Sequence, residues 1–154
     1  MNGGHVWRGL PPSVLDETEV VAGPATGGAL LAHTVAGLLD SRRAINTPPT
    51  LFAPFTVDAY RGPGLSRFYR QQIAGKRVLL VDDVRNTGQT LARCATLVRS
   101  TGGTVIATAE IYDRMESIAD AGAPNFALAE YKAPENYSTA TCPLCQSGVP
   151  VTTF

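Results

Sequence analysis

Apolar residues along this chain gather in short runs, and their spacing switches repeatedly between the two-residue period of a strand and the 3.6-residue period of a helix. Residues 19–22 (EVVA) predict a short strand that runs into a glycine-rich loop, residues 23–28 (GPATGG). Leu30, Leu31, Val35, Leu38 and Leu39 then recur at helical spacing and predict a helix over residues 29–39. Residues 44–45 and 50–57 read as strands, while residues 58–66 (DAYRGPGLS) carry the turn chemistry of a surface loop. Val78, Leu79, Leu80 and Val81 form an unbroken apolar run, the mark of a parallel strand buried on both faces. A helix follows over about residues 90–100, stopped at Thr101-Gly102-Gly103. Residues 104–111 predict another core strand, residues 115–121 a short helix and residues 126–129 a last strand.

Strands alternating with helices predict an α/β protein, an open and mostly parallel sheet flanked by helices. With 154 residues the chain suits one domain and can bury one core. Its 44% apolar and 17% charged content is that of an ordinary globular protein, and no internal repeat or low-complexity tract interrupts it. The formal net charge is zero, so no overall charge draws it to nucleic acid or to an anionic membrane, and any anion site must be local. No apolar run approaches the roughly 18–20 residues of a membrane span, and no signal peptide opens the chain. A cytoplasmic protein is expected.

Candidate chemistry concentrates in residues 77–90 (RVLLVDDVRNTGQT). Ligands of open α/β sheets bind just past the carboxyl ends of strands, and here the buried strand delivers Asp82 and Asp83 to that place. The loop Val84, Arg85, Asn86, Thr87, Gly88, Gln89, Thr90 offers backbone N–H groups, hydroxyls and a glycine at the start of a helix, where unsatisfied N–H groups and the helix dipole favour phosphate. Two acids would repel a bare phosphate. They fit a ligand that also carries hydroxyls, or one with a hard cation beside it. A ribose 5-phosphate has that chemistry. The bland alternative is a strand–turn–helix whose Asp-Asp turn only caps the helix.

The segment resembles the signature of the type I phosphoribosyltransferases: an apolar strand, two acids, then a Thr/Gly loop. The resemblance implies a Rossmann-like fold in which Asp82 and Asp83 face the ribose hydroxyls of phosphoribosyl pyrophosphate (PRPP) and Asn86, Thr87, Gly88, Gln89 and Thr90 surround its 5-phosphate, with Val84 and Arg85 beside them. The glycine-rich loop stands where the family's pyrophosphate loop would be, and the order of the two loops matches. Thr26-Gly27 occupies the place where orotate enzymes often have a basic residue, so backbone binding by Ala25, Thr26 and Gly27 is what carries over. Tyr112-Asp113-Arg114 matches the family's base contact, which falls on Arg114, and an arginine fork suits a planar carboxylate such as that of orotate. The alternative for Arg114 is a surface ion pair with Asp113 or Glu116. The tail CPLCQSGVP, from Cys142 to Pro150, resembles the C-terminus of one branch of orotate phosphoribosyltransferases.

The reaction so implied is transfer of the phosphoribosyl group to a base nitrogen with loss of pyrophosphate, through an oxocarbenium-like transition state, with Mg²⁺ bound through PRPP rather than by protein side chains. Orotate is the expected base and a homodimer the expected assembly. A purine-specific enzyme and a PRPP- or nucleotide-binding regulator without turnover are the alternatives. Three departures matter. Residues 51–55 lack the usual lysine, so Arg61 is assigned its task, with Arg67 and Arg70 as substitutes; the hood that covers the base is reduced to residues 1–18, ahead of a core at 19–132 and a tail at 133–154; and Asn86 replaces a threonine that usually touches the base. His5 and His33 read as structural or exposed. Of the three cysteines, Cys94 reads as a small core residue. Cys142 and Cys145 make half a zinc site at most, and read as structural thiols rather than a metal or redox pair.

Overall fold

The computed structural model describes residues 9–58, 61–116, 118–132, 137 and 140–150. Residues 1–8, and with them His5 and part of the expected hood segment, lie outside the described residues. The elements run α1 (Pro12–Glu17), β1 (Val20–Pro24), α2 (Gly27–Arg42), β2 (Leu51–Asp58), β3 (Gly62–Gly64), α3 (Arg67–Ile73), β4 (Arg77–Arg85), α4 (Gln89–Ser100), β5 (Thr104–Asp113), β6 (Asn125–Glu130) and α5 (Pro143–Gln146).

The six strands form one sheet in the order β3-β2-β1-β4-β5-β6. All neighbours are parallel except β2 and β3, which form an antiparallel hairpin at one edge. From β1 the chain passes through α2 to β2 on one side; from β4 it passes through α4 to β5 on the other. Strand order therefore reverses between β1 and β4, which opens a crevice at their carboxyl ends.

Val78, Leu79, Leu80 and Val81 of β4 are each at most 2% exposed, because helices cover both faces of the sheet. Val78 and Leu80 pack with Leu91, Cys94, Ala95 and Val98 of α4; Leu79 and Val81 pack with Ala32, Val35, Ala36 and Leu39 of α2. Burying each such side chain contributes about 1.5–3 kcal/mol, so the two clusters clamp β4 at the centre.

Several local expectations are corrected. Residues 44–45 are a turn rather than a strand, and Ile45 is fully exposed. The expected loop at 58–66 contains β3, whose Pro63 is tolerated because it lies on an edge strand. Residues 115–121 are irregular where described: Met115 has φ 59°, and the N–H groups of Ile118 and Ala119 both donate to the Thr87 carbonyl. A seven-residue segment has little helical stability of its own, so these tertiary bonds decide its shape. Both α1 and α3 were unforeseen; α3 is capped by Ser66, whose hydroxyl accepts from the Tyr69 N–H at 3.4 Å. β4 runs on to Arg85, three residues past the apolar run and its first acid, and α4 begins at Gln89.

Candidate functional site

The acids of β4 stand at the β1–β4 reversal, flanked by the amino ends of two helices. Asp82 is half-buried and Asp83 is exposed; the Asp83 N–H donates to the Asp82 carboxylate (3.0 Å) and the Val84 N–H to the Asp83 carboxylate (2.9 Å). Burial, with Asp83 and Glu110 nearby, pushes the Asp82 carboxyl up to about 7.

On one side lies the loop from β1 to α2. Ala25 is tied to the sheet by its N–H on Phe55 O (2.8 Å), whereas the N–H groups of Thr26, Gly27 and Gly28 meet no protein acceptor among the described residues. The loop needs glycine because it presses on the acids. A Cβ on Gly27 would fall 2.5 Å from the Asp83 carboxyl carbon, and one on Gly28 would fall 2.9 Å from Asp82 Oδ1 and from Val81 O. The first two glycines of α2 thus point its amino end at the carboxylates, where a 16-residue helix presents its orphan donors.

On the other side Asn86, Thr87, Gly88, Gln89 and Thr90 curve into α4. Gly88 is left-handed (φ 79°), a conformation that lets the backbone turn sharply into the helix. A Cβ there would also meet the Ala119 carbonyl at 2.5 Å. The N–H groups of Thr87, Gly88 and Thr90 meet no protein acceptor among the described residues. Asp82, Val84, Arg85 and residues 86–91 line a concavity of about 430 Å³, solvent space included. From outside, residues 118–119 clasp the loop through the Thr87 carbonyl, at 3.0 Å for each N–H.

Arg114 follows β5 and reaches this loop. Its Nη1 donates to Asn86 Oδ1 (3.0 Å) and its Nη2 pairs with Glu116 (3.2 Å). Asp113 pairs instead with Arg85, at 2.9 Å in a nearly buried bridge. Arg85 therefore reaches β5 through Nη1, while its Nε and Nη2 lie against Gly88 of the loop, 3.2 and 3.1 Å from where a Cβ there would stand. The expected residues 25–27, 82–83, 86–90 and 114 thus converge on one end of the sheet. Arg61 does not join them. It is exposed on the β2–β3 hairpin with its N–H on the Asp58 carboxylate (2.8 Å), and among the described residues no bond carries its side chain to the acids.

Glu110 escaped the reading of the sequence. It is 3% exposed on β5, the register partner of Asp82, and burial raises its carboxyl to about 7. Asn125 donates to its Oε1 (2.7 Å), Thr108 donates to Asn125 in turn (2.5 Å), and Oε2 has no hydrogen-bond partner among the described residues. A lone carboxylate inside the run TVIATAEIY was the available signal. His33 is exposed on α2, with its ring edge-on to Phe52.

Comparison with known proteins agrees with this layout. A phosphoribosyl transferase domain model matches residues 14–126. The chain is 35% identical to an orotate phosphoribosyltransferase of Caldanaerobacter subterraneus subsp. tengcongensis over 86% of its own length and 64% of the relative's. With that of Thermotoga maritima the identity is 32%, over 87% of this chain and 65% of the relative. The chain thus spans somewhat under two thirds of the length of these curated relatives. In fold it resembles the orotate phosphoribosyltransferase of Aeropyrum pernix (TM-score 0.57, 24% identity, 79% of this chain and 65% of that one). It also resembles the adenine phosphoribosyltransferase of Thermoanaerobacter pseudethanolicus (TM-score 0.55, 20% identity, 74% and 71%). With the crevice, its two donor loops and its paired acids on β4, the chain belongs to the phosphoribosyl transferase domain family.

Proposed function

We propose that this chain binds PRPP and transfers its phosphoribosyl group to a nitrogenous base, orotate first, releasing pyrophosphate and giving orotidine 5′-monophosphate. One observation carries the reading. Asp82 and Asp83 lie between two sets of backbone N–H groups with no protein acceptor among the described residues, one at Thr26, Gly27 and Gly28 and one at Thr87, Gly88 and Thr90. A ligand with an anion at each end and hydroxyls between them satisfies both sets at once. Those are the parts of PRPP: pyrophosphate, ribose, 5-phosphate.

In this assignment Asn86, Thr87, Gly88, Gln89 and Thr90, with the backbone of Val84 and Arg85, hold the 5-phosphate. Ala25, Thr26 and Gly27 cradle pyrophosphate, and Asp82 and Asp83 orient the ribose hydroxyls. The burial that raises Asp82, with Asp83 and Glu110 adding to it, is offset by hydroxyl donors or by a cation. Mg²⁺ delivered with PRPP would be held by phosphate and ribose oxygens and water rather than by protein side chains. When bound, it would neutralise charge on the departing pyrophosphate. The protein's residues fix geometry for substitution at the anomeric carbon and stabilise charge as it separates. Arg114 and Asn86 are assigned to the base, Arg114 to its carboxylate. Arg61 is the proposed cation for the leaving group, brought in by the hairpin.

We further propose a homodimer working in the cytoplasm, with residues 1–18 as a hood segment, 19–132 as the catalytic core and 133–154 as a tail. No helix among the described residues is long and apolar enough to cross a membrane. A second reading, PRPP binding without turnover, is favoured by the absence of any lysine or arginine from Leu51 to Asp58. The test is to follow pyrophosphate release from PRPP and Mg²⁺ with orotate, then with purine bases. Turnover with orotate alone supports the leading reading. PRPP binding without release supports the second, and release only with purines moves the assignment to another base. The double change Asp82→Asn/Asp83→Asn should abolish PRPP binding, and retained affinity would refute the site.

A further inference from the structure

The proposed chemistry leaves Glu110, a buried carboxyl, unused. Leu79 and Val81 on β4, Ala107 and Ala109 on β5 and Phe126 on β6 pack with α2. Successive residues of a strand alternate faces, so the rows Leu80–Thr108–Asn125 and Asp82–Glu110 share the opposite face, the one that α4 covers. Neighbouring strands lie about 4.7–4.9 Å apart, so the register sets Asp82 and Glu110 side by side. Asp82 lines the crevice, while Glu110 behind it is closed to water. Only one oxygen of Glu110 is engaged. The Thr108 hydroxyl fixes the Asn125 amide, which donates to Oε1, and the buried Oε2 has no hydrogen-bond partner among the described residues. No ion pair among the described residues includes Glu110. Arg85 of β4 is bridged to Asp113 of β5, and Arg114 to Glu116. α4 brings Cys94, whose thiol burial pushes up to about 12 and keeps neutral. The loop before β6 brings Asp120, which accepts the Gly122 N–H (2.7 Å), and β6 ends on the exposed Glu130. An ionised Glu110 would bury a charge with one oxygen unsatisfied, so this setting favours the neutral acid.

We propose that Glu110 is a positioning residue for the phosphoribosyl site: it keeps a proton on Oε2, so that Asp82 beside it ionises alone and offers its carboxylate to the ribose hydroxyls. The role rests on the assignment of Asp82 to those hydroxyls. Two carboxyls on adjacent strands resist ionising together, and their protons come off in two steps that belong to the pair. The raised values of both groups, about 7, agree with this. Asp82 opens on the crevice and gives up the first proton; Glu110 is sealed and gives up the second. Between the steps the pair carries one negative charge, placed where hydroxyl donors arrive. Above the second step, with both protons lost to solvent, two negative charges meet a ligand that is itself an anion, and affinity falls.

Two measurements on the whole chain, wild type beside Glu110→Gln, test the role. Infrared difference spectra between neutral and alkaline D₂O buffers should show a protonated-carboxyl band that the wild type loses on the alkaline side and that Glu110→Gln lacks. Calorimetric titration with PRPP and Mg²⁺ should find wild-type affinity about tenfold lower near pH 9 than near pH 7, a modest part of what two unit charges on adjacent strands exert on each other. Glu110→Gln, uncharged throughout, should show no such fall, whereas loss of a merely packed side chain would change affinity by one factor at every pH. The same band in both proteins, no band in the wild type, or alkaline falls of equal size would overturn the role of Glu110 while PRPP still binds. A wild type that shows the band yet binds no PRPP at any pH would instead refute the ribose assignment of Asp82, and this role with it.

Discussion

Asp82 on β4 and Glu110 on β5 are register partners in the central sheet, and burial raises both carboxyls to about 7 from ordinary values of 3.8 and 4.5. An acid whose pKa is raised by folding binds its proton more tightly in the native state. Stability is then fully present below the unfolded pKa and is lost as pH rises through the folded one. The window here runs from about 4 to about 7, and Glu110 alone accounts for a loss on the order of 3 kcal/mol across it. The protein should therefore resist urea better near pH 5 than near pH 8, an inverse of the usual carboxylate trend. Glu110→Gln, which removes the charge and keeps an acceptor for Asn125, should flatten much of that dependence and make the variant the more stable form above pH 7. Urea midpoints at several pH values for both proteins check this, and parallel curves would dismiss Glu110 as the source.

Gly27 and Gly28 are adjacent but predict different failures. A Cβ at Gly28 would stand 2.5 Å from Pro24 Cδ and 2.9 Å from Val81 O, within the packed turn between β1 and α2. Gly28→Ala should lower stability by about 1–3 kcal/mol through overpacking. The three atoms nearest a Cβ at Gly27 all belong to the Asp83 carboxyl, an exposed group that can swing aside. Gly27→Ala should thus unfold near the wild-type midpoint yet bind PRPP at least tenfold more weakly, because Asp83 no longer points where the ribose would lie. Calorimetric titration beside denaturation separates the two effects.

Gly88→Ala tests the other loop. Its φ of 79° and the Ala119 carbonyl 2.5 Å from a new Cβ place strain and a clash at the start of α4. The left-handed conformation alone is worth about 1–2 kcal/mol. The backbone contact adds to it and should push residues 118–119 off Thr87. Hydrogen exchange at the Ile118 and Ala119 amides, both bonded to the Thr87 carbonyl in the wild type, should speed up in the variant. Unchanged protection there would mean that the clasp does not depend on the shape of Gly88.

What the chain disclosed in advance follows from how local each determinant is. The run Val78–Val81 announced a strand buried on both faces, and the two acids with Thr87 and Gly88 after it announced a phosphate loop, because strand, turn and helix start all lie within fourteen residues. The short helix expected at residues 115–121 failed because its backbone donors are spent on Thr87, some thirty residues earlier in the chain. β3 was hidden by Gly62, Pro63 and Gly64, residues that normally argue against a strand; only pairing with Thr56, Val57 and Asp58 makes it one. Glu110 was passed over inside an apolar run, and its partnership with Asn125 is invisible until β5 and β6 are aligned.

Arg114 offers the sharpest separation of base choice from phosphoribosyl binding. Its guanidinium already bridges Asn86 (3.0 Å) and Glu116 (3.2 Å), which holds the fork at the edge of the loop rather than out in water. If the base carries a carboxylate, the fork binds it through two charge-assisted hydrogen bonds, each worth about 1.5–3 kcal/mol. Arg114→Ala should then raise KM for orotate by about ten- to a hundredfold while KM for PRPP moves less than a few-fold. Arg114→Lys should rescue little, because an ammonium cannot reproduce the planar pair of donors. Adenine and hypoxanthine have no carboxylate, so any activity toward them should be indifferent to the change. Steady-state kinetics with each substrate varied in turn makes the test, and equal loss toward orotate and PRPP would assign Arg114 to holding the loop through Asn86 rather than to choosing the base.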